Sequence, residues 1–154
     1  MFGGMKLDFD GHSTHSYDNL HIYSSIYGDR CMAIMAQHLP ISGFETSYVN
    51  NTCVLVPNAA CLDMGQSSNN FPSVDEFKQR VVFGNNTIYN TLGVDCAANG
   101  GVWKTFSDFQ SGGWESGAPS TVISTLPSAA TMISWVREKL QDPASRIEVA
   151  LHRF

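Results

Sequence analysis

Tyr17-Asp18-Asn19-Leu20-His21-Ile22-Tyr23, Tyr48-Val49-Asn50-Asn51-Thr52-Cys53-Val54-Leu55 and Phe83-Gly84-Asn85-Asn86-Thr87-Ile88-Tyr89-Asn90 share one pattern. In each, an aromatic stands two or three residues before an Asn, and a short run of β-branched and aromatic residues follows. Aligned on Asn19, Asn51 and Asn86, the units recur after 32 and then 35 residues. A period of that length is the mark of stacked supersecondary units. Asn before a β-run fits a tight turn between stacked strands, because its short polar side chain tolerates left-handed backbone. Stacked Asn side chains can also hydrogen-bond from one unit to the next.

Outward from these repeats, the chain has the length of one domain, 154 residues, and only 15% of them are charged. That is well below the usual quarter and suits turn-rich β-structure. A net charge of −5 leaves no basic footprint, so nucleic acid is not an expected partner. No segment reaches the length of a membrane span. Cys31, Cys53, Cys61 and Cys96 lack CxxC spacing, which argues against a zinc ribbon. They fit two disulfides in an exported protein, with four buried thiols in a cytosolic protein as the alternative. Cys31–Cys53 with Cys61–Cys96 is the least entangled of the three pairings. Asn50 and Asn85 open Asn-x-Thr sequons for glycosylation.

Met5, Leu7 and Phe9 alternate with Lys6, Asp8 and Asp10, the period of a half-buried strand. Residues 31–36 read as a buried strand, and 57–73 as a long irregular excursion. Ser107 to Gln110 reads as one helical turn stopped by Gly112-Gly113. Ser128 then N-caps an amphipathic helix whose apolar stripe is Met132, Ile133, Val136 and Leu140, ended by Asp142-Pro143. These readings divide the chain into β-units over 1–126, a helix closing the open end of the stack over 127–142, and a tail over 143–154. The absence of a leader-like start is read as the carboxy-terminal part of a longer exported protein, or as a mature form.

The Asn-Asn-Thr strands resemble the final coils of right-handed parallel β-helix proteins of the pectate-lyase-like kind. So do Trp103-Lys104-Thr105-Phe106-Ser107-Asp108-Phe109-Gln110-Ser111-Gly112-Gly113 and the helix Ile133-Ser134-Trp135-Val136-Arg137-Glu138-Lys139-Leu140. Phe106, Ser107, Phe109, Gly113 and Glu115 follow that family's post-coil pattern, and the resemblance spans most of residues 17–140. It implies an all-β fold, a right-handed parallel solenoid with a carboxy-terminal capping helix. An antiparallel β-sandwich is the second choice. It further implies a secreted, carbohydrate-active protein acting on a polysaccharide as a glycoside hydrolase or polysaccharide lyase. The alternative is a noncatalytic β-helix that binds glycans or attaches to a surface.

The residues offer one acidic cluster for such chemistry. On a strand, Asp8 and Asp10 share a face with Cα atoms about 6.5–7 Å apart, near the roughly 6.5–9.5 Å between the carboxylates of inverting glycosidases. One carboxylic acid would protonate the leaving oxygen while the other activated water. His12 joins them as the third catalytic candidate. His15, His21, Arg30 and Tyr23 are the substrate-binding candidates, although Arg30 beside Asp29 also suits a surface ion pair. Gly11-His12-Ser13 resembles the Gly-His-Gly of polygalacturonase-type proteins, but no Arg-x-Lys partner is present and that activity is not carried over. No resident metal is expected, with calcium the option if the chemistry is lyase-type. Trp103, Trp114, Tyr23, Tyr27 and Tyr89 are aromatic candidates for stacking on sugars, and Trp135 is expected to pack on the last coil.

Overall fold

The computed structural model describes residues 5–8, 13–22, 30–35, 39–55, 60–64, 76, 78–91, 97–99, 102–113, 115 and 118–140. Its short strands are β1 (Met5–Asp8), β2 (His15–Tyr17), β3 (Leu20–Ile22), β4 (Arg30–Met35), β5 (Thr46–Val49) and β6 (Thr52–Val54). They are followed by β7 (Ala60–Met64), β8 (Val81–Gly84), β9 (Thr87–Tyr89), β10 (Ala97–Asn99), β11 (Val102–Lys104) and β12 (Thr121–Ile123). Helix α1 (Phe106–Ser111) separates β11 from β12, and α2 (Ala129–Leu140) follows β12.

Every third strand pairs in parallel. One sheet runs β2-β5-β8, a second β3-β6-β9-β12, and a third β1-β4-β7-β10-β11. The sequence repeat is therefore a structural one, since Leu20, Thr52 and Thr87 stand in register across β3, β6 and β9. Ser120-Thr121-Val122-Ile123 continues that row through β12, where Thr121 pairs with Thr87.

Two jobs assigned above to one Asn are split between neighbours. The left-handed positions are Asp18, Asn50 and Asn85, with φ of 54°, 58° and 53°. Each precedes the Asn that forms the ladder. Asn19 donates through its backbone N and Nδ2 to Asn51 Oδ1 at 3.1 and 3.0 Å. Asn51 donates the same pair to Asn86 Oδ1 at 3.0 and 3.1 Å. Asn86 donates in turn to Ser120 Oγ at 3.0 and 3.3 Å. Asn51 and Asn86 are each only 1% exposed, so these bonds satisfy polar groups that water does not reach.

The core lies between the sheets. Tyr48 and Phe83, paired in register, stack at 5.3 Å, and Phe109 of α1 meets Phe83 edge-on at 6.2 Å. Helix α1 starts with a capping box between Thr105 and Asp108 and ends at Gly112, as the turn chemistry of its sequence requires. Cys31 of β4 and Cys53 of β6 form a disulfide with Cα atoms 5.7 Å apart, tying two sheets together across fully buried positions. Cys31 and Met32 are consecutive and both fully buried, so the third sheet is covered on both faces there. Cys96 lies outside the described residues, and of Cys61 only the backbone is described.

The expectation of an all-β parallel solenoid is corrected. Two all-parallel sheets of three and four strands stand beside a mixed sheet and helical segments, so the architecture is mixed α/β, with no closed solenoid among the described residues. The departure begins at β10. Asn99 pairs with Val102 in an antiparallel hairpin, because the two intervening residues are far too few for a parallel crossover of a dozen or more. The antiparallel sandwich is corrected as well, since β10–β11 is the antiparallel pair among otherwise parallel described pairings.

Helix α2 is capped by Ser128, whose Oγ accepts from Thr131 N at 3.1 Å. It does not close the end of the stack. Trp135 reaches Tyr89 of β9 at 5.6 Å, and Leu20, Thr52 and Thr87 line the same groove as Glu138 and Lys139. The helix thus crosses the outer face of the four-stranded sheet. Its Leu140, assigned to the apolar stripe by spacing, is 65% exposed. The element that closes the end is α1, through Phe106 and Phe109.

Candidate functional site

The residues singled out for catalysis do not assemble within the described part of the molecule. Asp8 ends β1 with its Cα paired to Met35 in the mixed sheet. Asp10, His12 and Tyr23 lie outside the described residues, so the two-carboxylate geometry stands as an expectation. Arg30 opens β4, its Cα paired to Ala60. His15 belongs to β2 and His21 to β3, placing Asp8, His15 and His21 on three different sheets.

His15 is exposed. Its Nδ1 lies 2.8 Å from Ser47 Oγ on the adjacent strand, and its Nε2 lies 3.4 Å from Ser13 Oγ. A His–Ser contact resembles a base beside a nucleophile, but among the described residues no carboxylate orients the ring, and His15 is open to water. His21 is half-buried, and burial alone lowers its pKa below the ordinary value. It occupies the register position of Cys53 and Ile88, both fully buried, which makes it part of the interior row. Tyr48 is buried at the centre of the aromatic stack, which raises its pKa, and its hydroxyl has no partner among the described residues. Among the described residues no cluster of three or more His, Cys, Asp and Glu could hold a metal.

A different constellation does come together. Where α2 crosses the sheet, Leu20, Thr52, Thr87, Tyr89, Trp135, Glu138 and Lys139 line a groove of about 270 Å³. Each strand contributes the residue at one register position, Leu20, Thr52 and Thr87, so the floor is a row set by parallel pairing. Tyr89 and Trp135 form a wall of two rings tilted by 38°, both half-buried and so still reachable by a ligand. Glu138 and Lys139 sit on the exposed side of the last helical turn and supply one charge of each sign. The groove lies just under the usual span of small-molecule pockets, about 300–1,000 Å³. It combines flat apolar surface, hydroxyls and charged donors and acceptors in a space suited to one small polar unit.

Sequence reading found Tyr89 and Trp135 separately but not the groove. The signal was the residue that follows each Asn of the ladder, Leu20, Thr52 and Thr87. In parallel strands such a recurrence builds a row, and an amphipathic helix must lie on some sheet face. The two sequon residues are also side by side. Asn50 and Asn85 are exposed, and Asn85 Nδ2 donates to Asn50 Oδ1.

Among the described residues no helix is long and apolar enough to cross a membrane. Comparison of the chain with known protein families, characterised proteins and solved structures finds no match.

Proposed function

We propose that this protein binds a saccharide in the groove between α2 and the four-stranded sheet, and that it works in an oxidising, extracellular setting. The observation that carries the reading is the groove's composition. The Trp135 and Tyr89 rings line it together with Leu20, Thr52 and Thr87, with Glu138 and Lys139 at the rim. Aromatic faces accept the C–H side of a sugar ring. Threonine hydroxyls both donate and accept, and a carboxylate and an ammonium complement the sugar's hydroxyls as acceptor and donor. The buried Cys31–Cys53 disulfide supports the oxidising compartment, since such bonds persist where thiols are not kept reduced.

The test is calorimetric titration with a panel of soluble oligosaccharides, run beside an assay for new reducing ends and unsaturated products. Binding of at least one oligosaccharide is expected, roughly two- to tenfold weaker in Trp135→Ala, the range that loss of ring stacking gives. Glu138→Gln and Lys139→Ala alter exposed positions and report on the groove even if Trp135→Ala unfolds. Absence of binding across the panel, or binding indifferent to all three changes, overturns the proposal. Product release that depends on Asp8 and Asp10 would replace it with polysaccharide cleavage.

A further inference from the structure

The asparagine ladder has a direction. Each Oδ1 receives two N–H groups from the Asn one unit earlier, at Asn51 from Asn19 and at Asn86 from Asn51. Asn19 is the first rung, and its own Oδ1 has no donor among the described residues. At the other end the ladder is closed. Ser120 takes the donors of Asn86, Glu115 accepts from Ser120 N at 2.9 and 3.0 Å, and Gln110 Nε2 donates to both Glu115 and the Ser120 carbonyl.

Burial follows the same asymmetry. Asn19 is exposed where Asn51 and Asn86 are buried, and Ser16 is half-buried where Tyr48 and Phe83 are buried. Tyr17 is 61% exposed and Ile22 40% exposed, against 5% for its register partner Val54. β2 and β3 are the outer edges of their sheets. The first unit is thus built like the second, with no covering strand among the described residues.

We propose that this edge is a docking site for an extended polypeptide segment running parallel to β2 and β3, with an Asn placed against Asn19. The register already present specifies the occupant. A parallel strand brings backbone N–H and Nδ2 of one Asn onto the Asn19 Oδ1, as in the two rungs below, while its flanking residues cover Tyr17 and Ile22. A second copy meeting edge to edge about a two-fold axis would run antiparallel and would not present that donor pair. A copy stacking head to tail is blocked by α1, whose Phe109 already occupies the far end against Phe83. Strand addition to an open sheet edge is an established mode of peptide recognition, and the Asn gives this edge a sequence preference. The proposal does not depend on saccharide binding at the groove.

The probe is a synthetic peptide with the sequence of Ser47–Val54, Ser replacing Cys53, added to the full chain. Titration should give saturable binding and slow the amide exchange of β2 and β3 without affecting β9. Replacing the Asn51-equivalent of the peptide by Ala removes its Nδ2 donor but keeps its backbone N–H, and should weaken binding roughly fivefold, as the loss of one hydrogen bond implies. Asn19→Ala in the protein removes the acceptor of both donors and should weaken binding at least as much, and its exposed position lets the variant fold. Three results would overturn the proposal: no protection of the edge, equal binding of the Ala peptide, or sedimentation showing a dimer of the chain alone that Asn19→Ala dissolves. The last would assign the edge to a second copy.

Discussion

Asn19 and Asn86 hold the same place in the same repeat, yet one is exposed and the other buried. Local sequence makes the rung, whereas its neighbours decide what the rung contributes. Asn86 has Asn51 on one side, Ser120 on the other, and the Tyr48 carbonyl accepting from its Nδ2 at 3.0 Å. Among the described residues, Asn19 has a ladder neighbour on one side only. The same contrast holds for the row of Tyr48 and Phe83, closed at one end by Phe109 and continued at the other by half-buried Ser16, beside which Tyr17 is 61% exposed.

The widest separation between the two ends is expected from their aromatics. Phe109 is 2% exposed and packs on both Phe83 and Phe106. Phe109→Ala should cost about 3–5 kcal/mol by urea unfolding, the range for emptying a buried aromatic site. Tyr17→Ala should stay within about 0.5 kcal/mol, as exposed substitutions do. Equal costs would mean that the β2 end is covered in solution and would remove the basis of the comparison.

Next in size is the ladder itself. Asn86→Ala strips the partner from Asn51 N–H and from the Tyr48 carbonyl, both buried, at about 2–4 kcal/mol in total. Asn19→Ala removes a donor from Asn51 Oδ1 but leaves Asn19's backbone N in place, and should cost under about 1 kcal/mol. Denaturant midpoints of the two variants side by side check this. A cost for Asn19→Ala that matches Asn86→Ala would show that position along the ladder does not matter.

These contrasts also mark what the sequence disclosed. Three Asn units were readable because each carries the same residue types at one spacing. The fourth was hidden: Ser120 replaces Asn, and Pro119 fills the place that Asp18, Asn50 and Asn85 hold in left-handed backbone, which proline cannot adopt. The run Thr121-Val122-Ile123, at the right distance from Asn86, was the signal left. The hairpin that breaks the parallel pattern was foreshadowed by Gly100-Gly101, a dipeptide suited to two-residue turns. Helix α2 was legible as a helix but not in its docking, because an apolar stripe does not say which surface it covers. The groove escaped for the same reason: Trp135 and Tyr89 meet through tertiary packing. The acidic cluster shows the converse, since strand alternation pairs Asp8 with Asp10 without saying which sheet face they share or what lies opposite.

The smallest expected effect tests the first rung by charge. His21 holds the interior position that Cys53 and Ile88 hold in the next two units, but it is only half-buried. Burial favours its neutral form, so its folded pKa lies below the ordinary 6.5. As pH falls through 6.5 the unfolded chain takes up the proton first, and stability declines until the folded pKa is reached, where the slope levels off. Above 6.5 both states are neutral and His21 adds no pH dependence. His21→Leu should therefore flatten the decline below about pH 6.5 while leaving higher pH unchanged, a comparison made by thermal unfolding across a buffer series. A docked strand would bury His21 as its register partners are buried, lower its folded pKa further and steepen that decline. If the Ser47–Val54 peptide protects β3 amides yet leaves the acid slope unchanged, the strand lies on the edge without closing the interior row. If the slope steepens, the first rung has become like the second.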